Sequence, residues 1–402
     1  MRKVIEKIEQ LKRETNEPIC SYLYDIDHLC EHVKWVTSQL PENCHMFYAM
    51  KANANERILK AVYPYVQGYE VASIGEVKKA RAIHAEVPVI FGGPGKTDEE
   101  LENAISENVQ LLHVESLHEL KRLSFIANKW NRNVSILLRV NLRGPFPSAT
   151  LYMAGKPTQF GIDETNVDEA IEYALTHPYI QLEGFHFHSI SNNLDDGRHL
   201  ELMKIYFQKA KEWAGRHQFP LTTLNVGGGI GVNYHDLEQP FNWERFTANL
   251  HELVRQEEMQ QVQILFECGR FLTASCGYYA VEVIDIKENH GKTFVIVRGG
   301  TQHFRLPVSW QHNHPFRVVS VEEWSYPFER TAVIKQEVTI VGQLCTPKDV
   351  FAKDVHVHEL RMGDVILFFY TGAYGWSISH HDFLSHPHPK HLFLERERVT
   401  ME

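Results

Sequence analysis

Eight short apolar runs, which alternate with helix-like segments, restrict the fold of this chain more than any other feature. The runs are His45–Met50, Gly68–Ala72, Pro88–Gly93, Gln110–Glu115, Ser135–Asn141, Leu182–His188, Thr222–Gly229 and Gln263–Glu267. Alternation of strand and helix favours parallel strands joined by crossover helices, and eight repeats predict closure into a (β/α)8 TIM-like barrel. A doubly wound open sheet is the competing architecture, but no G-x-G-x-x-G sequence follows the first run.

A change of pattern after Ser275 marks a second domain. The later segments alternate polar and apolar residues without long helical patterns between them, which is typical of β-strands. They are Tyr278–Lys287, Lys292–Arg298, Val333–Gln343 and Asp364–Tyr370, with a hairpin turn at Glu288–Gly291 and an earlier strand at Cys20–Tyr24. The sequence therefore predicts a barrel over residues 27–274 and a C-terminal all-β domain, formed by 1–26 and 275–402.

Composition excludes several classes of function. The chain has 402 residues and a formal net charge of −10, so it lacks the basic character of a general nucleic-acid binder. No apolar run reaches the length of about 20 residues that a membrane-spanning helix needs. The six cysteines show no C-x-x-C spacing, which argues against a zinc ribbon or a disulfide framework. We expect a cytoplasmic protein that binds neither nucleic acid nor membrane.

Histidines are concentrated between His380 and His391, in the sequence HHDFLSHPHPKH. Such a group could hold a metal ion. Two prolines interrupt the regular spacing that ligands on one helix or strand would need, so a buried or interface role is favoured. We predict no metal site.

Chemically active residues stand at the ends of the eight runs, where the active site of such a barrel lies. They are Lys51, Glu70, His113, Glu115, Arg139, His188, Gly227, Gly228, Gly229 and Glu267. A lysine after a strand can be a plain surface residue, and three glycines can be a tight turn. A partly desolvated lysine is also a nucleophile, and glycines let backbone N–H groups approach a phosphate. An amine beside a phosphate site predicts pyridoxal 5′-phosphate (PLP).

These residues stand in motifs that resemble those of the fold-type III PLP-dependent decarboxylases. This group includes ornithine, arginine and diaminopimelate decarboxylases and is related to alanine racemase, and the resemblance covers nearly the whole chain. Tyr48–Asn53 matches Y-A-x-K-A-N, which implies that Lys51 is the Schiff-base lysine. His188–Ser191 resembles H-x-G-S, with isoleucine in place of the glycine. The resemblance implies that His188 stacks on the cofactor ring and that Ser191 contacts the phosphate.

The sequence Glu267–Arg270 resembles E-P-G-R, with cysteine in place of proline. By this resemblance Glu267 pairs with the pyridine nitrogen of the cofactor. The other residues that the resemblance places near the cofactor are Glu70, Arg139, Gly227, Gly228, Gly229, Gly269 and Arg270. A carboxylate keeps that nitrogen protonated and strengthens the electron sink that loss of CO₂ requires. Racemases of this fold usually have an arginine there, so Glu267 favours decarboxylation.

Two motifs of the C-terminal part complete the resemblance. GQLCTPKD, at 342–349, resembles the C-x-x-x-D motif of these decarboxylases, and GAY, at 372–374, matches a family motif. Cys345 would donate a proton to the α-carbon of the substrate, Thr346 and Asp349 would line its side-chain pocket, and Tyr374 would lie near the phosphate. In this family Cys345 and Tyr374 reach the site of the neighbouring subunit, so the resemblance implies an obligate homodimer with shared active sites.

A narrower likeness concerns the substrate. Met153–Ile162, Trp310–Pro315 and the sequence GWSISHHDFLSHPHP are similar to segments of carboxylate-siderophore decarboxylases, in particular those of the staphyloferrin B type. Gln159 stands where general amino-acid decarboxylases tend to have lysine. The likeness implies conversion of citryl-L-2,3-diaminopropionate to citryl-ethylenediamine with release of CO₂.

A basic cluster in the β domain suits a substrate with several carboxylates. Its members are Arg298, His303, Arg305, His312, His314 and Arg317, of which Arg305, His312 and His314 are predicted substrate contacts. The same residues could be unrelated, solvated loop charges. A basic cluster disfavours free ornithine or lysine, whose distal amine would call for acidic residues.

Two other readings stay open at this point. The first is a diaminopimelate- or ornithine-type decarboxylase, or a racemase, of the same fold. The second is a PLP-carrier protein without turnover, which would resemble a barrel alone. The long β domain with Cys345 and Tyr374 argues against the carrier.

Overall fold

The structure is a computed structural model that describes residues 1–144, the backbone of 151–152, and residues 157–396. The chain divides into two compact units. The barrel unit comprises Cys30–Asn233 and Gln239–Leu272, and the β unit comprises Met1–Leu29, Tyr234–Glu238 and Thr273–Glu402. The domain ranges that the sequence predicts, 27–274 and 1–26 with 275–402, stay a prediction.

Strands and helices of the described residues are numbered here in chain order. The strands are β1 (Cys20–Asp25), β2 (Cys44–Ala49), β3 (Gly68–Val71), β4 (Val89–Phe91), β5 (Leu111–Val114), β6 (Val134–Asn141), β7 (Leu151–Tyr152), β8 (Ile162–Asp163), β9 (Ile180–His186), β10 (Ile190–Ser191), β11 (Thr223–Asn225), β12 (Gln263–Cys268), β13 (Gly277–Asn289), β14 (Lys292–Val297), β15 (Phe316–Val319), β16 (Ala332–Val341), β17 (Val350–Arg361), β18 (Val365–Phe368) and β19 (Lys390–Leu394). The helices are α1 (Arg2–Glu14), α2 (Ile26–Ser38), α3 (Glu56–Val62), α4 (Ile74–Ile83), α5 (Asp98–Ser106), α6 (Leu117–Trp130), α7 (Val167–Leu175), α8 (Asp196–His217), α9 (Trp243–Gln256), α10 (Arg270–Thr273) and α11 (Leu306–Trp310). Among the residues described, no helix combines the length and the apolar character that crossing a membrane requires.

Parallel strands of the barrel unit close into a barrel. Within the described residues, eight strands follow one another in the order β2-β3-β4-β5-β6-β9-β11-β12, and β12 pairs with β2 to complete the ring. Each predicted run overlaps one of these strands, so the predicted (β/α)8 barrel is confirmed. The runs are almost continuously apolar because helices cover the outer face of such a sheet, and both faces are therefore buried. β3 and β5 are buried along their whole length.

Apolar side chains fill the barrel below the site. Phe47, Ile90, Leu111, Leu137 and Leu265 come from five different strands and form one buried cluster. Because side chains of a strand alternate between its two faces, a residue two positions later shares the same face. The next inward-facing layer, toward the carboxyl ends of the strands, is the polar layer described below.

The β unit contains a mostly antiparallel sheet in the order β15-β18-β13-β14-β16-β17. The early strand β1 pairs with β13 and β19, as predicted for a strand that joins the β domain. α1 contributes Val4, Ile8 and Leu11 to the core of this unit, which explains its helical apolar spacing. At the predicted hairpin, His290 and Gly291 both have positive φ, as a type I′ turn requires.

One long strand of the β unit is absent from the sequence-based assignment. β17 pairs antiparallel with β16 over most of its length. Val357 and Leu360 are buried, whereas the exposed positions of the strand are all polar or charged, namely Lys353, Asp354, His356, His358 and Glu359. A break at Asp354, whose φ is 52°, shifts the alternation within the strand and hides its period-two pattern.

Candidate active site

Six buried polar side chains form a layer at the carboxyl ends of the barrel strands. They are Glu70, His113, Arg139, His186, Asn225 and Glu267. His113, Arg139 and Glu267 each stand two residues after a member of the apolar cluster and share its inward face. The strand register pairs His186 with Arg139 on one side and with Asn225 on the other. This polar layer is where a barrel of this kind places its chemistry.

Lys51 lies on a short 3₁₀ turn, Met50–Ala52, which directly follows β2. Its Nζ donates a hydrogen bond to Glu70 Oε2 at 2.9 Å. The lysine side chain is 41% exposed and that of Glu70 is 6% exposed, so the amine lies between the polar layer and solvent. Burial raises the pKa of Glu70 to about 7; the charge of Lys51 opposes this rise and that of Glu267 adds to it. Glu70 can therefore exchange a proton with Lys51 near neutral pH.

Glu267 occupies the centre of the layer. Its Oε1 accepts a hydrogen bond from Asn225 Nδ2 at 2.8 Å and lies 3.5 Å from His113 Nδ1, while its Oε2 lies 3.4 Å from His186 Nε2. Burial alone would raise the pKa of Glu267, but the positive charge around the carboxylate, including that of Lys51, outweighs burial and lowers it. The carboxylate is thus ionised at neutral pH, and it is held in place from several sides.

The histidines of the site are neutral imidazoles. Burial lowers the pKa values of His113, His186 and His188 well below the usual value. His188 Nδ1 accepts a hydrogen bond from the backbone N–H of Gly228 at 3.2 Å, which leaves its proton on Nε2. Among the described residues, neither ring nitrogen of His186 has a hydrogen-bond partner, although both are buried. A flat polar group placed against His113, His186 and His188 would meet neutral rings.

Glycine is required at the three positions after β11, because neighbouring backbone atoms lie where a side chain would begin. A Cβ on Gly227, whose φ is 71°, would overlap the backbone and ring of the His188 segment. A Cβ on Gly228 would overlap the carbonyl oxygen of Glu267. Asn225 Oδ1 accepts the N–H of Gly227 at 2.8 Å and so holds the start of the loop. A loop built this way presents backbone rather than side chain to a ligand.

Gly228→Ala is expected to weaken cofactor binding by about tenfold or more, because only backbone lies where the new methyl group would go. Titration of cofactor-free protein with PLP, followed by absorbance, would measure the loss. Gly215→Ala is the control, since Gly215 lies in α8 with open space around it, and alanine should stabilise that helix by about 1 kcal/mol or less. Unchanged PLP affinity in Gly228→Ala would contradict the assigned role of the loop.

Other residues predicted for the cofactor surround the same loops. Ser191 is half-buried on β10, and two residues later Asn193 N donates to Gly229 O at 2.7 Å. A Cβ on Gly269 would lie 2.7 Å from Ala52 Cβ, so glycine lets this turn approach the turn that carries Lys51. Arg270 is buried at the start of α10. The segment that carries Ser191 thus lies against the glycine loop, while the phosphate contacts themselves stay predictions.

Arg139 and Glu115 form a buried ion pair in this unit. Arg139 Nη1 donates to Glu115 Oε1 at 2.7 Å. The guanidinium carbon also lies 4.8 Å from the ring centroid of Phe160, a cation–π contact. Arg139 therefore contributes a fixed positive charge to the polar layer.

The residues present fit PLP. The half-exposed amine of Lys51 can bond a carbonyl carbon, the glycine loop offers backbone to a phosphate, and Glu267 is an ionised carboxylate beside the neutral rings of His113 and His186. The unpartnered nitrogens of His113 and His186 also fit an aromatic ligand whose edge or face fills the layer. His113, His186 and Glu267 converge within 4.8 Å, a geometry that could also hold a metal ion.

The β unit holds the predicted residues of the C-terminal motifs. Cys345 is exposed, and Thr346 beside it is half-buried. Asp349 is buried and accepts backbone N–H groups from Thr301 at 2.7 Å and from Leu344 at 2.8 Å. Tyr374 is half-buried with a φ of 53°. Asp349 therefore fixes the loop that carries Cys345, while its predicted contact with substrate stays a prediction.

The basic cluster of the β unit is less uniform than its sequence suggests. Burial lowers the pKa of His303 to about 3, so this imidazole carries no charge at neutral pH. His314 is also buried, with Nε2 hydrogen-bonded to Phe369 O at 2.6 Å and Nδ1 2.9 Å from His312 Nε2. Arg305 is exposed and its guanidinium is available to solvent. The substrate roles assigned to Arg305, His312 and His314 stay predictions.

Three of the histidines between 380 and 391, namely His381, His388 and His391, contact the ring of Trp376, and each has further partners. His381 stacks on Trp376 with ring centroids 3.5 Å apart, His388 pairs with Asp382 at 2.9 Å, and His391 stacks on Tyr22. These contacts hold the segment from Trp376 to His391 within the β unit. The segment Met153–Lys156, which belongs to the substrate-specific likeness, lies outside the described residues.

Two members of the polar layer, His186 and Asn225, are not among the residues selected from the sequence. Each stands two positions before a selected residue, His188 and Gly227. In a strand that spacing places both side chains on one face, so period-two alternation counted back from the strand ends could have identified them.

An eight-stranded barrel with a mouth lysine, a glycine loop and a buried carboxylate defines a class of PLP-binding enzyme. Comparison with known families agrees. A model of the pyridoxal binding domain of pyridoxal-dependent decarboxylases matches residues 26–274. The chain belongs to this family, and it is a PLP-dependent decarboxylase, a carboxy-lyase.

Individual relatives are similar over nearly the whole chain. The 2-[(L-alanin-3-ylcarbamoyl)methyl]-2-hydroxybutanedioate decarboxylase of Staphylococcus aureus (strain NCTC 8325 / PS 47) is 56% identical over 99% of this chain and 99% of its own. The L-glutamyl-[BtrI acyl-carrier protein] decarboxylase of Niallia circulans is 33% identical over 92% of this chain and 87% of its own. Diaminopimelate decarboxylase from Helicobacter pylori, solved in complex with L-lysine, superimposes with a TM-score of 0.84 at 29% identity, covering 96% of this chain and 94% of that one. Membership of a family of decarboxylases excludes the carrier reading.

Proposed function

We propose that this enzyme decarboxylates citryl-L-2,3-diaminopropionate to citryl-ethylenediamine in carboxylate-siderophore biosynthesis of the staphyloferrin B type. The observation that carries the proposal is the 56% identity, over 99% of both chains, with the S. aureus decarboxylase. The substrate in that enzyme's name is a 2-hydroxybutanedioate whose side arm forms an amide with the 3-amino group of an alanine unit, which is the same citrate amide. The exposed guanidinium of Arg305 supports a polycarboxylate substrate, because guanidinium groups bind carboxylates in a bidentate manner.

The residues of the barrel unit divide the work of holding the cofactor. We infer that Lys51 bonds its carbonyl carbon and that Ser191, the Gly227–Gly229 loop, Gly269 and Arg270 hold its phosphate. His188 would lie against the ring, and the Glu267 carboxylate would keep a proton on the ring nitrogen. When bound, PLP supplies the electron sink that makes loss of the α-carboxylate possible.

Proton movements are assigned to Lys51, Glu70 and Cys345. Glu70 accepts a proton from Lys51 Nζ, or returns it, over their 2.9 Å hydrogen bond. The neutral His188 leaves the face of the site free of extra charge. The thiol of Cys345 delivers a proton to the α-carbon after CO₂ has left.

The assembly that we propose is a homodimer with shared active sites. Cys345 and Tyr374 belong to the β unit, and Cys345 is exposed there. In the family that the sequence resembles, these positions act on the neighbouring subunit's site, so two chains would complete each other. The cytoplasm is the proposed location, and free thiols at all six cysteines support a reducing compartment.

The test is release of CO₂ and mass of the product with purified, PLP-loaded protein. Citryl-diaminopropionate would be compared with citryl-serine, free diaminopropionate, ornithine, lysine and diaminopimelate. We expect the citryl-diaminopropionate kcat/KM to exceed that of each free amino acid by at least about 10³-fold, since a site built for polar groups rejects molecules that lack them. If diaminopimelate were the preferred substrate, the enzyme would instead be a diaminopimelate decarboxylase, like its 29% identical relative from Helicobacter pylori.

A further inference from the structure

We propose that Glu115 is a positioning residue that holds Arg139 and the Thr158–Gly161 segment in one arrangement at the mouth of the barrel. The proposal rests on the proposed function only in taking Arg139 as part of the cofactor site. Glu115 lies outside the polar layer, and it is not among the residues predicted to bind the cofactor.

The Glu115 carboxylate accepts hydrogen bonds from three separate parts of the barrel unit. Oε1 accepts from Arg139 Nη1 at 2.7 Å and from the backbone N–H of Gly93 at 2.8 Å. Oε2 accepts from the backbone N–H of Gly161 at 3.1 Å. Gly93 follows β4, Arg139 lies near the end of β6 and Gly161 directly precedes β8, while Glu115 itself follows β5. One side chain therefore ties together the ends of the neighbouring strands β4, β5 and β6 and the segment that leads into β8.

Glu115 is itself held by a second layer of buried charge. Its backbone N–H donates to Glu119 Oε2 at 3.0 Å, and Glu119 Oε1 accepts from Lys96 Nζ at 2.7 Å. Lys96 Nζ also donates to Gly93 O at 2.6 Å and to His113 O at 2.9 Å. Buried ions are costly unless their geometry is well satisfied, and here each has a charged partner and backbone partners. The arrangement holds Glu115 in both main chain and side chain.

The segment that Glu115 holds is close to Arg139 as well. The Phe160 ring lies under the guanidinium at 4.8 Å, so Arg139 is fixed between an aromatic face and a carboxylate. Asn141 Nδ2 donates to Phe160 O at 3.0 Å and fixes the same segment to the end of β6. Gly161 has a φ of 72°, and a Cβ there would lie 3.1 Å from Arg139 O. A shift of this segment would therefore shift Arg139.

Removal of the Glu115 charge has an electrostatic consequence for the titratable groups around Arg139. The charge of Arg139 acts on His186, His188 and Glu267, and in the wild type Glu115 balances it. The other charged or titratable groups of this region are Lys51, Glu70, Lys96, His113 and Glu119. An unbalanced positive charge favours loss of protons, so every acid equilibrium of the layer should move to lower pH.

Glu115→Gln tests the proposal. We expect kcat to fall about ten- to a hundredfold with a smaller change in KM, because misorientation at a reacting site affects the rate more than binding. The pH midpoint of the visible absorbance of the bound cofactor, measured without substrate, should move to lower pH. Glu115→Asp keeps the charge, so it should restore the midpoint while kcat stays reduced. Loss of thermal stability with kcat and midpoint unchanged would show a purely structural role and overturn the proposal.

The control variant is Asp168→Asn, which breaks a carboxylate–arginine pair between α7 and α8, with Arg216 Nη1 3.0 Å from Asp168 Oδ1. It should leave the midpoint and kcat unchanged. If Glu115→Gln does not fold, Phe160→Leu removes the other contact of the guanidinium, and its kcat should also fall; an unchanged kcat there would count against the proposal. Since the midpoint is read without substrate, a wrong substrate assignment would not imitate failure of this inference.

Discussion

Lys51→Ala should lower kcat by about four orders of magnitude or more, because no other described side chain places an amine beside Glu70 at the mouth of the barrel. Protein reduced with borohydride after PLP loading should carry the pyridoxyl phosphate mass on the peptide that contains residue 51. The variant should lack that adduct. Retained turnover or a retained adduct would remove Lys51 from its central role.

The same variant can be checked for correct folding and for the proposed assembly. Lys51 is 41% exposed but pairs with the buried carboxylate of Glu70. Because the pKa of Glu70 is already about 7, this carboxylate can take up a proton when the amine is removed, so the melting temperature of Lys51→Ala should fall by about 5 °C or less. Mixing Lys51→Ala with Cys345→Ala tests the proposed sharing of sites. Random exchange of subunits gives mixed dimers with one intact site, so activity should return to about a quarter of the wild-type value. Mixed protein that forms dimers yet stays inactive would count against shared sites.

The barrel can be predicted from the sequence because each of its strands has a composition that its own burial dictates. A strand buried on both faces has to be mostly apolar, and Ile136–Leu138 shows this directly. The same holds for Lys51 and Glu267, since a charged residue at the end of such a run is conspicuous. β17 could not be predicted in this way, because its exposed charged face and the break at Asp354 hide the alternation of buried and exposed residues.

Side-chain environment is much harder to predict than strand position. His303 and Arg305 are near neighbours in the sequence, but the first is buried and uncharged and the second is exposed. Whether a histidine carries charge depends on burial, which is set by contacts far away in the chain, such as Tyr279 with His303. A count of basic residues therefore overstates the charge available to a polycarboxylate.

Networks of buried charge are the feature of this protein that the sequence predicts least well. The contacts of Glu115 with Gly93, Arg139 and Gly161 join positions up to 46 residues apart. No spacing rule links these positions, because their proximity results from the closure of the barrel. Glu115 is visible in the sequence as a polar strand end, but its partners are visible only in three dimensions.

Glu267→Gln should lower kcat by about 10²- to 10³-fold, which corresponds to about 2.7–4 kcal/mol of lost stabilisation. Glutamine has nearly the same shape and can still accept the 2.8 Å hydrogen bond from Asn225, so the fold and the position of the side chain should be retained. The negative charge among Lys51, His113 and His186 is lost, and with it the ability to keep a proton on the cofactor's ring nitrogen. Steady-state kinetics on PLP-saturated enzyme measures the effect.

The pH dependence of stability provides an independent check on the same charge. Because the pKa of Glu267 is lowered in the folded protein, the stability that it contributes is present above the pKa of an unfolded glutamate and is lost as pH falls through the folded pKa. Denaturant unfolding of the cofactor-free protein at several acid pH values should show a shallower loss in Glu267→Gln than in the wild type. Glu282→Gln, at a buried carboxylate of the β unit that pairs with Lys12 at 2.8 Å, serves as control and should leave kcat within about twofold, since a site distant from the chemistry changes the rate little. If Glu267→Gln retained full kcat, the carboxylate would be a structural partner of Asn225, and the electron sink would have to be held by other groups of the polar layer.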